Sequence, residues 1–358
     1  MKKIRLGIIF GGRSVEHEVS IVSARSILNA VDQAKYEVVP LGVTREGQWL
    51  SPIEAWPALQ REAKLKQLMA PGSEERHLIL STKLAEAVEQ VDIVFPIIHG
   101  TYGEDGTLQG LLEMANIPYV GAGVLGSAVG MDKAIMKALF RQQSLPVADY
   151  LVTTRREWRT DPEKAVSNVE KSLSYPCFVK PANGGSSLGI SKARNREELW
   201  AAIELAAQYD RKVLVEQGLD AREIECSVLG NDEPIASVPG EIVPANDFYD
   251  YQAKYQSDQT QLLVPAAVPE DTAAQVQNLA VRAFRAIDCA GLARVDFFLT
   301  RNTGEVYLNE INTLPGFTQV SMYPKLWEAT GIGYSELIDR LVALALERHV
   351  DKNKNKVG

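Results

Sequence analysis

Two β-branched and aromatic runs flank a turn sequence near the end of this chain. They are Ala293-Arg294-Val295-Asp296-Phe297-Phe298-Leu299 and Glu305-Val306-Tyr307-Leu308-Asn309-Glu310-Ile311-Asn312, with Arg301-Asn302-Thr303-Gly304 between them. That spacing reads as an antiparallel hairpin. Counting back from the turn places Asp296 roughly opposite Glu310, and Glu310 and Asn312, two apart, project from one face. Three oxygen-bearing side chains then converge, with Arg294 beside them on the Asp296 face. Two carboxylates and an amide so placed repel one another or stand idle without a cation, and oxygen-only ligation suits Mg²⁺ shared with substrate phosphates. The alternative is an exposed hairpin face that is acidic by chance.

The length of 358 residues predicts two or three domains with room for real cores. A net charge of −8 argues against a general nucleic-acid or anionic-membrane surface, while leaving room for a local basic pocket. Cys177, Cys226 and Cys289 sit in apolar sequence without paired spacing, as buried reduced thiols do. Lys2, Lys3 and Arg5 precede only a short apolar run, which stops at Gly11-Gly12-Arg13. That is a strand entering a glycine turn rather than a signal peptide. No apolar stretch approaches the ~20 residues of a membrane span, so a cytoplasmic location is expected.

The first third alternates strands (5–10, 36–44, 91–98) with helices (20–31, 106–115), a βαβ pattern that implies a parallel sheet covered by helices. Residues 51–88 look like an elaborated connection. A helix over 131–143 follows the Gly-rich run 121–130. Strands over 150–154, 176–180 and 212–216, with a helix over 196–209, form a small α+β unit. Further strands are expected over 223–229 and 235–242, then a long polar loop over 244–261 and helices over 272–287 and 334–348. The tail from Asp351 is polar and expected to fray.

The loop Lys180-Pro181-Ala182-Asn183-Gly184-Gly185-Ser186-Ser187-Leu188-Gly189 follows one of these strands. Its backbone N–H groups and the Ser186 and Ser187 hydroxyls can wrap phosphates, with Lys180 as a point charge for the same anion. No Gly-Lys-Ser/Thr follows, so it is not a Walker A loop. A flexible surface turn is an equal reading. Lys133, opening a helix after Met131-Asp132, fits a second phosphate lysine, and a helix start capped by Asp132 explains it as well. Gly121-Ala122-Gly123-Val124-Leu125-Gly126 matches the dinucleotide fingerprint in form. The acidic residue that should end the next strand is missing, since Asp149 precedes its strand, and that reading is rejected.

Gly11-Gly12-Arg13-Ser14-Val15-Glu16-His17-Glu18-Val19-Ser20 is a glycine turn opening a helix at a sheet's carboxyl end, where α/β folds bind ligands. Glu16 is placed to pair with a substrate ammonium, or with Glu18 simply to favour the helix dipole. His99-Gly100-Thr101-Tyr102-Gly103-Glu104-Asp105-Gly106 ends another strand beside the same crevice. His17 and His99 are too isolated for a transition-metal site. The polar, aromatic segment from Asp247 to Tyr255 has the composition of a lid that orders on ligand, and equally of an ordinary surface loop. Leu314-Pro315-Gly316-Phe317-Thr318-Gln319-Val320-Ser321 follows the hairpin and would set backbone N–H groups and the Ser321 hydroxyl beside it, suited to a carboxylate. A plain connecting turn is the other reading.

In order and over nearly the whole chain, these segments resemble the D-alanine–D-alanine ligases of the ATP-grasp superfamily. The resemblance rests on residues 11–20, 99–106, Met131-Asp132-Lys133, the Lys180–Gly189 loop, Tyr249-Asp250-Tyr251-Gln252-Ala253-Lys254-Tyr255, Arg294-Val295-Asp296 and Asn309-Glu310-Ile311-Asn312-Thr313-Leu314-Pro315-Gly316. Single pieces are suggestive; their joint order is specific. It implies α/β and α+β architecture in three domains. These are an N-terminal Rossmann-like parallel sheet (1–125, pre-ATP-grasp) holding the first D-alanine, a central ATP-grasp subdomain with the phosphate loop (126–217), and a C-terminal ATP-grasp domain with the metal and second-substrate sites (218–358).

The resemblance implies an ATP-dependent ligase that makes D-alanyl-D-alanine for peptidoglycan through an acyl phosphate. Asp296, Glu310 and Asn312 would hold two Mg²⁺ (or Mn²⁺) ions, and a monovalent cation near the ATP is compatible with the family. Lys133, Lys180 and Lys254 would neutralise phosphate charge, with Ser187 on the phosphates and Glu216 and Glu223 at adenine and ribose. Glu16 would bind the first ammonium near His99, with Ser186 and Tyr255 fixing the lid. Arg294 and the Gly316 backbone would stabilise the oxyanion, and Ser321 would take the second carboxylate, with Phe317 and Met322 flanking that pocket. Relatives that make D-alanyl-D-lactate alter the lid tyrosine, so Tyr255 favours D-alanine as the second substrate. The family also implies a homodimer formed through its N-terminal domain. The rivals are an ATP-grasp ligase for another substrate pair, a nicotinamide oxidoreductase resting on the rejected fingerprint, and a binding module without catalysis.

Overall fold

The last six residues of β1 (Ile4–Gly11) are all buried, the pattern of a strand covered on both faces. In this computed structural model, which describes residues 2–60, 89–243 and 260–356, β1 pairs in parallel with β2 (Tyr36–Val43) and β3 (Ile93–Pro96) in the order β2-β1-β3. A parallel bridge from Val94 to Tyr119 extends the sheet. Helices α1 (His17–Ala30), α2 (Pro52–Gln60) and α3 (Thr107–Met114) flank it. The expected βαβ pattern is therefore present, with α1 starting at His17 rather than at Ser20.

The Gly-rich run 121–130 holds a helix of its own, α4 (Val124–Met131), ahead of α5 (Lys133–Gln142). Glycine disfavours helix, and packing overrides it here. A Cβ at Gly126 would lie 2.8 Å from the Asp288 carbonyl oxygen, and one at Gly130 would lie 2.7 Å from Thr313. Gly126, from the fingerprint, and Gly130, beyond it, thus let α4 lie close against Asp288 and Thr313.

Strands β4 (Tyr150–Thr154), β5 (Cys177–Pro181), β6 (Ser191–Ala193) and β7 (Lys212–Gln217) form an antiparallel sheet in the order β4-β7-β5-β6. Helices α6 (Arg155–Thr160), α7 (Pro162–Ser172) and α8 (Arg196–Tyr209) share its core around Trp158, Val179, Leu199 and Val213. Their starts follow from local chemistry. Thr154 and Glu157 form a capping box, Asp161 caps α7 with Pro162 in its first turn, and Asn195 caps α8.

The largest sheet runs β11 (Gln261–Leu263), β10 (Gly240–Val243), β8 (Ala221–Gly230), β12 (Gly291–Thr300), β13 (Val306–Asn312), with β9 (Ile235–Ala236) also on β8. The single strand expected over 235–242 is in fact two, β9 and β10, with Pro239, which has no N–H to donate to a ladder, between them. In the hairpin, Asp296 lies opposite Glu310, as counted from the sequence. A bulge makes this register: Leu299 faces Val306 and Phe297 faces Leu308, so Asn309 is the extra residue that brings Glu310 onto Asp296. Val295, Phe297 and Leu299 point the other way, into a core shared with α9 (Glu270–Ala286). Burying one such phenylalanine is worth roughly 1.5–3 kcal/mol.

Helices α10 (Met322–Ala329) and α11 (Tyr334–Lys352) return to the N-terminal sheet. Tyr323, Trp327, Leu337 and Leu341 share one core with Leu6, Ile8 and Phe95. Lys35 pairs with Asp339 at 2.6 Å. The Arg348 guanidinium donates to the Tyr119 and Gly121 carbonyls and stacks on the Tyr119 ring. All three cysteines are free and buried, and burial pushes the Cys177 thiol up to about 11. Among the described residues no helix is long and apolar enough to cross a membrane. Lys254, Tyr255, the rest of the expected lid over 247–255 and most of the 51–88 connection lie outside the described residues.

Candidate functional site

β5 delivers Lys180 to the mouth of the Gly-rich loop, in which Ser186 and Ser187 take left-handed backbone angles (φ 52° and 57°). Such angles cost on the order of 1–3 kcal/mol each for non-glycine residues and cluster where function requires them. The Ser186 hydroxyl is buried without a hydrogen-bond partner among the described residues. Lys180 and Glu216 are diagonal neighbours on paired strands β5 and β7, so they share a face. Lys180 Nζ donates to Glu216 Oε2 at 2.7 Å, while Lys137 Nζ lies 2.5 Å from Glu216 Oε1. Burial opposes ionisation of Glu216, but Lys137 and Lys180 outweigh it and pull its carboxyl down to about 2. Burial likewise works against the Lys180 ammonium, which Glu216, Glu310 and Glu223 nonetheless hold above its ordinary value.

The hairpin face closes the opposite side of the same cleft. Arg294 grips Asp296 through two hydrogen bonds of 2.8 Å, and its Nε also lies 3.0 Å from Glu225 Oε2 on β8. Asn312 Nδ2 donates to Asp296 Oδ2 at 2.9 Å. Lys133 Nζ lies 3.2 Å from Glu310 Oε2 and donates to the Gly184 carbonyl at 3.1 Å. The helix start is capped as the sequence allows, because Asp132 accepts from the Ala134 and Ile135 amides. The donor set fits a hard divalent cation: two carboxylates and an amide, which presents its oxygen once flipped, leave coordination positions for phosphate oxygens. Among the described residues no group of three His, Cys, Asp or Glu side chains could hold an ion without such help. Lys133, Lys180, Ser187, Glu216, Glu223 and Asp296 all line one cleft, and Glu310 and Lys133 also line a second, smaller one beneath Gly184, Gly185 and Ser186.

The N-terminal crevice meets this second cleft. Glu16 occupies the N-cap of α1, yet its side chain makes no cap hydrogen bond. Its Oε2 lies instead where a Cβ on Gly100 or on Gly185 would come within 2.9 Å, so the carboxylate is wedged between the His99 loop and the phosphate loop. His99 is buried, with Nδ1 3.1 Å from the Leu314 carbonyl and 3.4 Å from Glu104, and Nε2 3.2 Å from Ser23. Burial disfavours the imidazolium, but Glu104 and the more distant Glu16 outweigh it and hold the His99 pKa above its ordinary value. Ser321 Oγ accepts from the Thr318 amide at 3.1 Å and sits against Gly316, where a Cβ would be 3.2 Å away. Phe317 departs from its expected place beside a ligand. It is fully buried in an aromatic cluster with Phe95, Tyr323 and Tyr334, and supports the loop from beneath. Met322 is buried against Ile242 and Leu326.

Lys137 and Glu225 carried no expectation from sequence, although each leaves a trace there. Lys137 falls on the buried face of α5 with Ala134, Met136 and Phe140. Glu225 alternates with the core residues Ile224 and Cys226, on the face that also carries Glu223.

Residues 5–122 match the family described as D-ala D-ala ligase N-terminus, and residues 139–343 the D-ala D-ala ligase C-terminus. A D-alanine–D-alanine ligase from Heliobacterium modesticaldum is 54% identical over 364 residues, spanning 99% of this chain and 98% of that protein. The solved D-alanine–D-alanine ligase from Coxiella burnetii superposes with a TM-score of 0.81 at 35% identity, over 99% of this chain and 97% of that one. The VanG D-Ala:D-Ser ligase from Enterococcus faecalis gives a TM-score of 0.80 at 34% identity, over 96% and 100%.

Proposed function

The chain belongs to the D-alanine–D-alanine ligase family, ATP-dependent ligases of ATP-grasp fold, and from that premise we propose that it joins two D-alanine molecules for peptidoglycan synthesis. The observation that carries this reading is the meeting of two lysines with the Asp296, Glu310 and Asn312 face, one loop away from the wedged Glu16.

The first D-alanine is held by its ammonium on Glu16, near His99, and its carboxylate oxygen attacks the γ-phosphorus of ATP. The bond to ADP breaks and an acyl phosphate forms. Lys133, Lys180 and Lys254 offset phosphate charge during transfer, with Ser187 on the phosphate oxygens and Glu216 and Glu223 at the base and ribose. Asp296, Glu310 and Asn312 would hold two Mg²⁺ or Mn²⁺ ions, which would supply Lewis-acid polarisation and a template for the phosphates. The second D-alanine is oriented by its carboxylate on Ser321, near Met322, and its neutral amine attacks the acyl carbonyl. Arg294 and the Gly316 N–H face the developing oxyanion. Phosphate leaves, and the amine gives up its proton as the amide forms. Ser186 and Tyr255 close the lid on Glu16, and the presence of Tyr255 supports D-alanine rather than D-lactate as the acceptor. The working form is a cytoplasmic homodimer associated through the N-terminal domain, and a monovalent cation near the ATP is compatible with this chemistry.

The test is phosphate release from Mg·ATP with D-alanine, L-alanine, D-serine or D-lactate plus D-alanine, with products identified by mass. Release strictly dependent on D-alanine, with D-alanyl-D-alanine formed, is the expected result. Release with another acceptor preferred overturns the substrate assignment, and no ATP turnover overturns the reading as a whole.

A further inference from the structure

Lys137 is the most completely buried cation at the site, its side chain 1% exposed, one helical turn beyond Lys133 on α5. It does not line the cleft that Lys133, Lys180 and Glu216 line. Among the described residues its one ion-pair partner is Glu216, whose carboxylate is 2% exposed. Glu216 is thus shared: Lys137 takes Oε1 and Lys180 takes Oε2. Two ammoniums on one carboxylate leave a net positive charge out of water, an arrangement that repulsion and desolvation both disfavour. Burial, aided by the nearby Lys180, lowers the Lys137 pKa against the pull of Glu216. Lys137 holds Oε1 of Glu216 whether or not Lys180 stays on Oε2.

Lys180 is the partner with reason to leave. It stands at the mouth of the phosphate loop, on the cleft, whereas Lys137 is enclosed by the helix. We propose that Lys137 is a positioning residue that keeps Glu216 compensated, so that Lys180 can move from Glu216 to an incoming polyphosphate without stranding a buried carboxylate. This rests on the cleft taking a nucleotide polyphosphate, as inferred above. Without Lys137 the one ion-pair partner left to Glu216 among the described residues is Lys180, which then stays where it is. Phosphate recognition weakens, while recognition of the nucleoside portion does not.

Binding of ADP and of adenosine is measured by titration calorimetry on the full chain, for the unsubstituted protein, Lys137→Met, Glu216→Gln and the Lys137→Met/Glu216→Gln double variant. The expected result is a rise of at least tenfold in the ADP Kd of Lys137→Met, with the adenosine Kd changed less than twofold. With Glu216 neutralised, Lys137 has nothing left to compensate. The double variant therefore binds ADP within twofold of Glu216→Gln alone, a comparison that stands even if Lys137→Met by itself does not fold. Equal weakening of ADP and adenosine overturns the proposal, because a merely structural lysine would do that. So does an additive further loss in the double variant. Failure of the unsubstituted protein to bind ADP overturns the nucleotide reading and this inference with it, and is distinguished by needing no variant at all.

Discussion

Replacing Gly185 by alanine separates the site from the fold. Gly185 does not need a left-handed backbone angle, so the substitution brings no backbone strain. Its new Cβ would sit 2.9 Å from Glu16 Oε2, closer than such contacts occur, and ordinary contact begins at 3.4 Å. The carboxylate must retreat by about half an ångström from the phosphate loop. A misplacement of about 1 Å in a positioned group costs on the order of 100-fold, so half of that costs roughly tenfold, or about 1.4 kcal/mol. On the proposed reading, that loss falls on the first D-alanine, whose ammonium Glu16 is assigned to hold. Stability should hold or rise, since Gly→Ala at a compatible position contributes about 0.4–1 kcal/mol through the unfolded chain. The assay is phosphate release over a two-dimensional D-alanine titration, which resolves the two KM values, alongside a thermal melt. A first-site KM within twofold of the unsubstituted protein refutes the reasoning. So does a fall in Tm of more than ~5 °C with both sites equally impaired, because the effect would then be global.

Glu310→Gln removes a charge from the proposed metal face, on a side chain 21% exposed. It should abolish dipeptide synthesis measured by mass while leaving the melting curve intact, and substantial synthesis by that variant sinks the metal assignment. Arg294→Lys keeps the charge but loses the two-pronged grip on Asp296; kcat should fall about 10²–10³-fold, and an unchanged kcat removes Arg294 from the oxyanion. Trp327→Ala empties a fully buried position under the N-terminal sheet and should cost about 3–5 kcal/mol by urea unfolding, with a cost below about 1 kcal/mol counting against the shared core. His99 has a raised folded pKa, so its contribution to stability is complete below the unfolded value of 6.5 and is lost as pH rises through the folded one. The Tm gap between the protein and His99→Asn should therefore narrow from pH 6 to pH 9, and a gap that widens contradicts the Glu104 pairing.

Much of the fold was legible because its signals are local. The alternation in β12 and β13, the turn at 301–304 and the acidic pair needed only counting, and the bulge at Asn309 produces the register that was counted. What escaped depended on partners distant in the chain. Helix α4 forms against glycine propensity because Asp288 and Thr313 receive its backbone, and no window around residues 121–130 contains those residues. The break between β9 and β10 is the exception, because Pro239 marks it within the run 235–242 itself. Lys137 is unremarkable as a residue on an amphipathic helix, and becomes informative only once β7 brings Glu216 to it. Phe317 follows Gly316 in sequence but turns inward, because Phe95 and Tyr334 offer it aromatic contact.

The return of α10 and α11 to the first sheet has a consequence for biosynthesis. Leu6, Ile8 and Phe95 have left the ribosome long before Trp327, Leu337 and Leu341, which complete the same core. About 240 residues separate β3 from α11, an interval on the order of 10–50 s at ordinary rates of chain elongation. Through that interval the first sheet waits with an apolar face open to water and to other nascent chains. Arg348 then closes the structure by clasping Tyr119 and Gly121. A chain stalled or clipped ahead of α11 presents the cell's quality control with an exposed core at the end of the molecule that was made first.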